Sequence, residues 1–470
     1  LGDISGPASK LIVNGPSFSS QLQIQNANHF GGGTVINDGS VRIASNFALG
    51  SGTITMSGTG LSLLEVVPAG QVGNGIPGID VLADSYLQFD GNGAYAGVVL
   101  GELTGTAGKK LTVTAIGALA GSNIRLYGNF TCDSDLELSI NGINWASYQS
   151  GTTIYNGVLS GNAVMYPRGG TTILNGANTF TQTIISQGHI GVGIDSALPG
   201  YSPLGLGTFT QDNQGDNGIL SWGGAHTVEN PFTWLYRDNA NRAFTTLGTN
   251  QLTMSGAFDL SGGTNNVIRT FNIGNTAPTI LSGVIGDSGQ NMGINKTGNG
   301  ALYLDNPANT YSGLTTITAG MLAGSGNTGG SLTNTAGGTL GGGSATAIGT
   351  LTVNGNLANF GKAYIRVNRS GLQSDQVSVS GTLANSGTGT LTVTNLGTAL
   401  VAGDKFTIFN KPVTGGNAMN ITGAGVVWSN KLAVDGSIEV LNVIATNPTD
   451  ITYNVSGSTL TVSWPATHLG

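Results

Sequence analysis

Chemistry needs acids, bases, nucleophiles or metal ligands held close together, and the sequence offers few places where they gather. Asp133, Asp135 and Glu137 alternate in Asp133-Ser134-Asp135-Leu136-Glu137, a spacing that puts all three on one face of a strand. Such an oxygen array suits calcium. The plainer alternative, and the expectation, is a solvated face whose charge deters edge pairing. Asp80, Asp84 and Asp90 are too widely spaced for one strand, which leaves a loop-bound calcium as the chemistry open to them. His29, His189, His226 and His468 are scattered without metal-ligand spacing. The single cysteine, Cys132, rules out an internal disulfide and is expected as a small apolar residue buried on a strand. There is no Gly-x-Ser-x-Gly elbow, no Gly-Lys-Ser/Thr phosphate loop and no Cys/His pair. No catalytic residue, metal ligand or cofactor-binding residue is therefore assigned, and the expectation is a protein that is not an enzyme.

Two stretches invite a binding role. The densest polar-aromatic run is Trp234 to Arg242, where Trp234 and Tyr236 would stack on sugar faces and Arg237 and Arg242 would bind hydroxyls or carboxylates. Pro231 just before it marks an irregular excursion, so a loop whose aromatics cap the core is the competing reading. In the tail, Ile451, Tyr453 and Val455 alternate onto one face, as do Leu460, Val462 and Trp464 after a Ser456-Gly457-Ser458 turn. An isolated two-stranded hairpin is marginal in water, so Tyr453, Val455, Leu460, Val462 and Trp464 are expected to seek another sheet, on their own chain or on a neighbouring molecule.

The elements that must position these residues are strands. Of the 470 residues 79 are glycine and only 8% are charged, so the polar surface falls to Thr, Ser, Asn and Gly, which favour strands and turns over helices. A hydrophobic share of 39% is enough for collapse and argues against disorder. The net charge of −7 is dispersed, which leaves no basic stripe for nucleic acid. The longest apolar runs fall short of a membrane span, and Leu1 opens without an initiator Met or a charged-then-apolar leader, so any signal peptide is expected to have been removed or left out. Period-2 alternation recurs as Thr53-Ile54-Thr55-Met56, Leu111-Thr112-Val113-Thr114 and Leu351-Thr352-Val353, bounded by Asn-Gly, Ser-Gly and Gly-Gly turns. No window carries a helical stripe.

Three segments repeat one pattern. Asn28-His29-Phe30, Asn178-Thr179-Phe180 and Asn309-Thr310-Tyr311 each lead into a Thr/Ile strand, a glycine corner (Gly39, Gly188, Gly320) and a further apolar strand. A unit of this kind cannot bury its own apolar face and needs copies stacked above and below. The pattern is fullest in Lys296-Thr297-Gly298-Asn299-Gly300, Leu302-Tyr303-Leu304 and Ala308 to Leu322. It resembles the autotransporter-associated β-strand repeat of proteins secreted by Gram-negative bacteria. That resemblance implies a right-handed parallel β-helix displayed at the cell surface or outside the cell.

The fold expected is thus all-β, with a β-helical body over residues 1–325, a simpler β-rich region over 326–445 after the glycine-rich Gly324–Gly343, and a hairpin-like tail over 446–470. Corner glycines are expected to tolerate substitution less well than those of Gly324–Gly343. No amphipathic capping helix is visible at either end. The leading functional expectation is a structural subunit of an extracellular layer, sheath or filament, joined head to tail with copies of itself through β-strand edges. An adhesin binding surface glycans through residues 231–242 is the second reading, and a polysaccharide lyase or hydrolase the third.

Overall fold

The structure is a computed structural model. It describes every residue except 1, 17–19, 46, 59–61, 67–75, 91–95, 100–101, 117–122, 128–130, 133–135, 142–143, 149–151, 163, 186–187, 212–216, 235–242, 262–263, 445–451 and 464–470. Two compact units form, one from Leu1–Asn239 with Phe244–Asp259, the other from Ala240–Ala243 with Leu260–Gly470. Both are parallel β-solenoids, as the alternation and repeats predict. Among the described residues the one α-helix is a single turn, Leu432–Asp435.

In the first unit the short alternating segments stack in register, so apolar residues of one rung lie on those of the next. One ladder runs Leu11, Thr34, Ile54, Ile79, Leu103, Cys132, Tyr155, Leu174, Val192, Ser221, each a parallel partner of its neighbour. Cys132 thus sits on a strand, as expected. A second face is built on Leu22, Val41, Leu64, Leu87 and Val113. A third carries aromatic residues inward, with Phe209, Phe232 and Phe258 paired in sequence. The turns are unequal, since 18 residues separate Leu174 from its partner Val192 while 29 separate Val192 from Ser221. Extra residues leave the stack at corners and the ladder keeps its register. That is how unevenly spaced repeats still superpose.

The second unit stacks Ile294, Thr315, Leu332, Leu357 and Leu383 on one face. On another it stacks Leu302, Leu322, Leu340, Ala363, Leu391 and Ile421. The compositional change near residue 325 falls within this stack, which continues to Gly423. Gly324–Gly343 contains strands of the parallel ladder rather than a loose linker, and this overturns its expected tolerance. A Cβ at Gly326 would lie 2.3 Å from the Asn306 carbonyl oxygen, and one at Gly329 would lie 1.4 Å from that of Tyr311.

The last turn of this unit has its edges covered by β-structure in place of a capping helix. Val377 N–H donates to the Ile408 carbonyl (2.9 Å) and Asn385 N–H to that of Thr414 (2.8 Å), while Asn420–Gly423 pairs with Thr390–Val393. Behind them lies an antiparallel sheet of Lys405–Thr407, Ser437–Val443 and Val426–Lys431. The predicted tail hairpin forms from Thr452–Ser456 and Thr459–Ser463, with Tyr453 opposite Val462 and Val455 opposite Leu460.

Candidate functional site

The repeated residues converge on one construction. In each copy the asparagine is buried and its side-chain amide bridges two other turns of backbone. Asn28 Oδ1 accepts from Ile4 N–H (2.8 Å) while its Nδ2 donates to the Ala48 carbonyl (2.7 Å). Asn178 does the same between Leu159 N–H (2.8 Å) and the Pro203 carbonyl (2.9 Å). Asn309 does so between Ile285 N–H (2.8 Å) and the Asn327 carbonyl (2.9 Å). An amide suits this place because it carries an acceptor and a donor on one short planar group. Each asparagine is a staple from the turn before to the turn after.

Two residues on, Phe30, Phe180 and Tyr311 are fully buried. Each ring and its carbonyl lie beneath a glycine of the following turn, Gly50, Gly205 or Gly329, where a Cβ would overlap the backbone oxygen. Thr34, Thr183 and Thr315 follow, also buried. The first two donate to carbonyls of the following turn, Leu49 (3.3 Å) and Leu204 (2.9 Å), and Thr315 Oγ1 lies 2.8 Å from the Tyr311 hydroxyl. Burial pushes the Tyr311 phenol up to about 12, against the pull of its hydrogen bonds to Thr315 and Gly329. Gly39, Gly188 and Gly320 then turn the corner with φ of 99°, 89° and 66°, as the repeat alignment predicts.

Residues 19–43, 169–189 and 294–323 match the family model of the passenger-associated-transport-repeat. Three passenger-associated-transport-repeats lie in this chain. A comparison with curated proteins finds no match. The repeats and the parallel β-solenoid fit an autotransporter passenger segment.

The third passenger-associated repeat carries an extra device. Lys296 is wholly buried, and its ammonium donates to the carbonyls of Thr297 (2.8 Å), Gly298 (2.8 Å) and Ala319 (2.9 Å) at the corner shared with Gly320. Burial pulls its pKa down to about 8. In the ladder it stands in line with Ile317, Asn334, Asn359 and Asn385, and those three asparagines hand hydrogen bonds along the stack, each Nδ2 to the next Oδ1 at 2.7 Å. The asparagine ladder matches no chemical motif, although Leu332-Thr333-Asn334, Leu357-Ala358-Asn359 and Leu383-Ala384-Asn385 signal it as a recurring Leu-x-Asn.

Three buried charges also escape a reading by motif. Asp287 accepts from Gly289 N–H, Met292 N–H and Ser312 N–H, each 3.0 Å, and from Ser312 Oγ at 3.1 Å. Burial raises its pKa, but these donors outweigh burial and hold it below the usual value. Arg366 Nε meets Asp375 Oδ2 at 2.7 Å, and its Nη2 reaches the carbonyls of Ser344 (2.8 Å) and Ala347 (2.6 Å), tying down the loop after Gly343.

The predicted binding residues fare unevenly. Trp234 belongs to the strand Phe232–Trp234, is wholly buried, and packs edge-on against Phe232 at 4.6 Å between ring centroids. Its indole is part of the core, so its place as a sugar platform is corrected. Alternation turned it inward because Phe232, two residues before it, points the same way. Tyr236, Arg237, Arg242 and Trp464 lie outside the described residues. Tyr453, Val455, Leu460 and Val462 lie on the hairpin, and all four are exposed.

Asp80 and Asp84 are engaged separately, with Thr104 Oγ1 (3.0 Å) and Lys110 N–H (3.1 Å). Asp133 and Asp135 lie outside the described residues, and Glu137 stands on the strand Leu136–Asn141. Among the described residues no group of three or more His, Cys, Asp or Glu side chains is placed to hold a metal ion.

Proposed function

We propose that this chain is a structural segment of an extracellular bacterial surface, a cohesive solenoid whose work is mechanical and which joins other copies of itself through β-strand edges. The observation that carries the reading is the fate of the repeated residues. The asparagine and aromatic common to the three repeats, and the threonine of the first two, are spent on joining one turn to the next rather than on presenting groups to solvent, while the third threonine is buried against Tyr311. A charged share of only 8% supports close lateral or axial packing, since like-charge repulsion between neighbours is small.

The hairpin Thr452–Ser463 supplies the joining element in this reading. Its strand edges offer unpaired backbone groups, its Tyr453, Val455, Leu460 and Val462 share one exposed face, and residues 452–463 carry no charge to repel a second sheet. Negative-stain microscopy of the full chain and of a chain lacking residues 446–470 tests the proposal. Filaments of uniform width from the first and dispersed folded particles from the second are expected. Dispersed particles from both at every concentration would sink self-association, and filaments from both would remove the hairpin as the connector.

A further inference from the structure

We propose a second site, independent of self-association: a binding site for uncharged saccharides at Trp222, on the corner between strands Asn217–Ser221 and His226–Val228. Trp222 is 41% exposed, whereas Trp234 twelve residues later is wholly buried. A singly exposed apolar residue is ordinary on a protein surface. What sets this one apart is that its backbone is pinned on both sides while its side chain is left in solvent.

Trp222 N–H donates to the Val192 carbonyl of the turn below (2.8 Å). Its own carbonyl lies 3.0 Å from His226 Nε2, and His226 Nδ1 lies 3.2 Å from Asp195 Oδ1. Asp195 is held in turn by Thr227 N–H at 2.8 Å. The residues that follow the indole are Gly223, at φ 76°, and Gly224. A Cβ at Gly223 would meet nothing within 4 Å, and one at Gly224 only the His226 ring at 4.0 Å. The corner is tied down through its backbone, and the space beside its two glycines is open.

Polar groups on both neighbouring turns stand at this corner. Asp195, its side chain 64% exposed, lies on the turn below, and Asn250 on the turn above donates its Nδ2 to the Ser221 carbonyl (3.3 Å), which leaves its Oδ1 as an acceptor. An indole carried on a pinned backbone offers a flat apolar face to the C–H face of a pyranose. A carboxylate and an amide oxygen accept hydroxyl hydrogens. The same carboxylate repels uronic acids and sulfated sugars, so the class selected is neutral.

Isothermal titration calorimetry with cellopentaose, mannopentaose and galactopentaose tests the assignment on the full chain. Saturable binding to at least one is expected, with a dissociation constant on the order of 1 mM for so small a contact. Trp222→Ala should weaken it at least about tenfold, Trp222→Phe should restore part of it, and Asp195→Asn should weaken it severalfold, each with an unchanged circular dichroism spectrum. Pentagalacturonate should bind at least about tenfold more weakly than the best neutral chain. No saturable binding to any of the three neutral chains, or equal binding by Trp222→Ala, would overturn the site. A galacturonate preference would overturn the neutral class.

Discussion

At the scale of single residues the molecule is governed by polar groups that have been taken out of water and given two partners each. Asn309 serves Ile285 N–H and the Asn327 carbonyl at once, so Asn309→Ala should orphan both backbone groups, at about 1–3 kcal/mol for each. Thr318→Ala, which removes an exposed side-chain bond to Asn295, should cost less than about 0.5 kcal/mol. Urea unfolding midpoints of the two variants check this, and equal midpoints would mean the staple is idle. Tyr311 makes a prediction in pH. Its folded value of about 12 stands above its ordinary 10, so the neutral phenol is favoured by folding. The stability it contributes is complete below pH about 10 and is lost as pH rises toward about 12. Against Tyr311→Phe, the native chain should lose relative stability across that window and not below it, as read from thermal melts taken at each pH.

At the scale of elements, the rungs are short because each needs only two or three inward residues, and the corners decide what the backbone tolerates. Gly320→Val and Gly188→Val should abolish soluble expression, since both residues have positive φ and other backbone atoms lie within 3 Å of the place a Cβ would take. Gly329→Ala should be as harmful even though the sequence places it in a simple glycine-rich run. A Cβ there meets the Tyr311 carbonyl of the turn below. Gly289→Ala should be mild by comparison. Its φ of 78° costs about 1–2 kcal/mol for an L-residue, but a Cβ meets nothing within 4 Å. Soluble yield and melting temperature of the four variants give the ranking.

At the scale of the whole molecule, the question for any stacked sheet is what covers its edges. In the second unit the chain from Lys405 to Val443 does so, first by adding strands and bridges to the last turn and then by an antiparallel sheet. Removing residues 396–470 should therefore expose the edges of Gln376–Val379, Leu383–Asn385 and Thr390–Asn395 and drive aggregation. Removing 446–470 alone should leave a soluble fold. Light scattering of the two truncations separates these outcomes, and equal solubility would mean that the cap is dispensable.

The amino-acid sequence by itself determined the β character, the repeat unit and its corner glycines, because alternation, turn residues and positive φ are properties of a few neighbouring residues. Gly39, Gly188 and Gly320 were legible for that reason. Which of two alternating faces turns inward was not, and Trp234 shows the consequence, since its strand has an inside only when Phe209 and Phe258 lie below and above it. The polar pairings were hidden for a related reason. Asn334, Asn359 and Asn385 meet only if three turns of unequal length stack in register, and Asp195 comes beside His226 only because a long corner returns to the ladder. Local chemistry sets what each rung is. The stacking of rungs, which the spacing along the chain does not encode, decides which side chains are interior, which are joined, and that the Trp222 indole is left in solvent on a fixed corner.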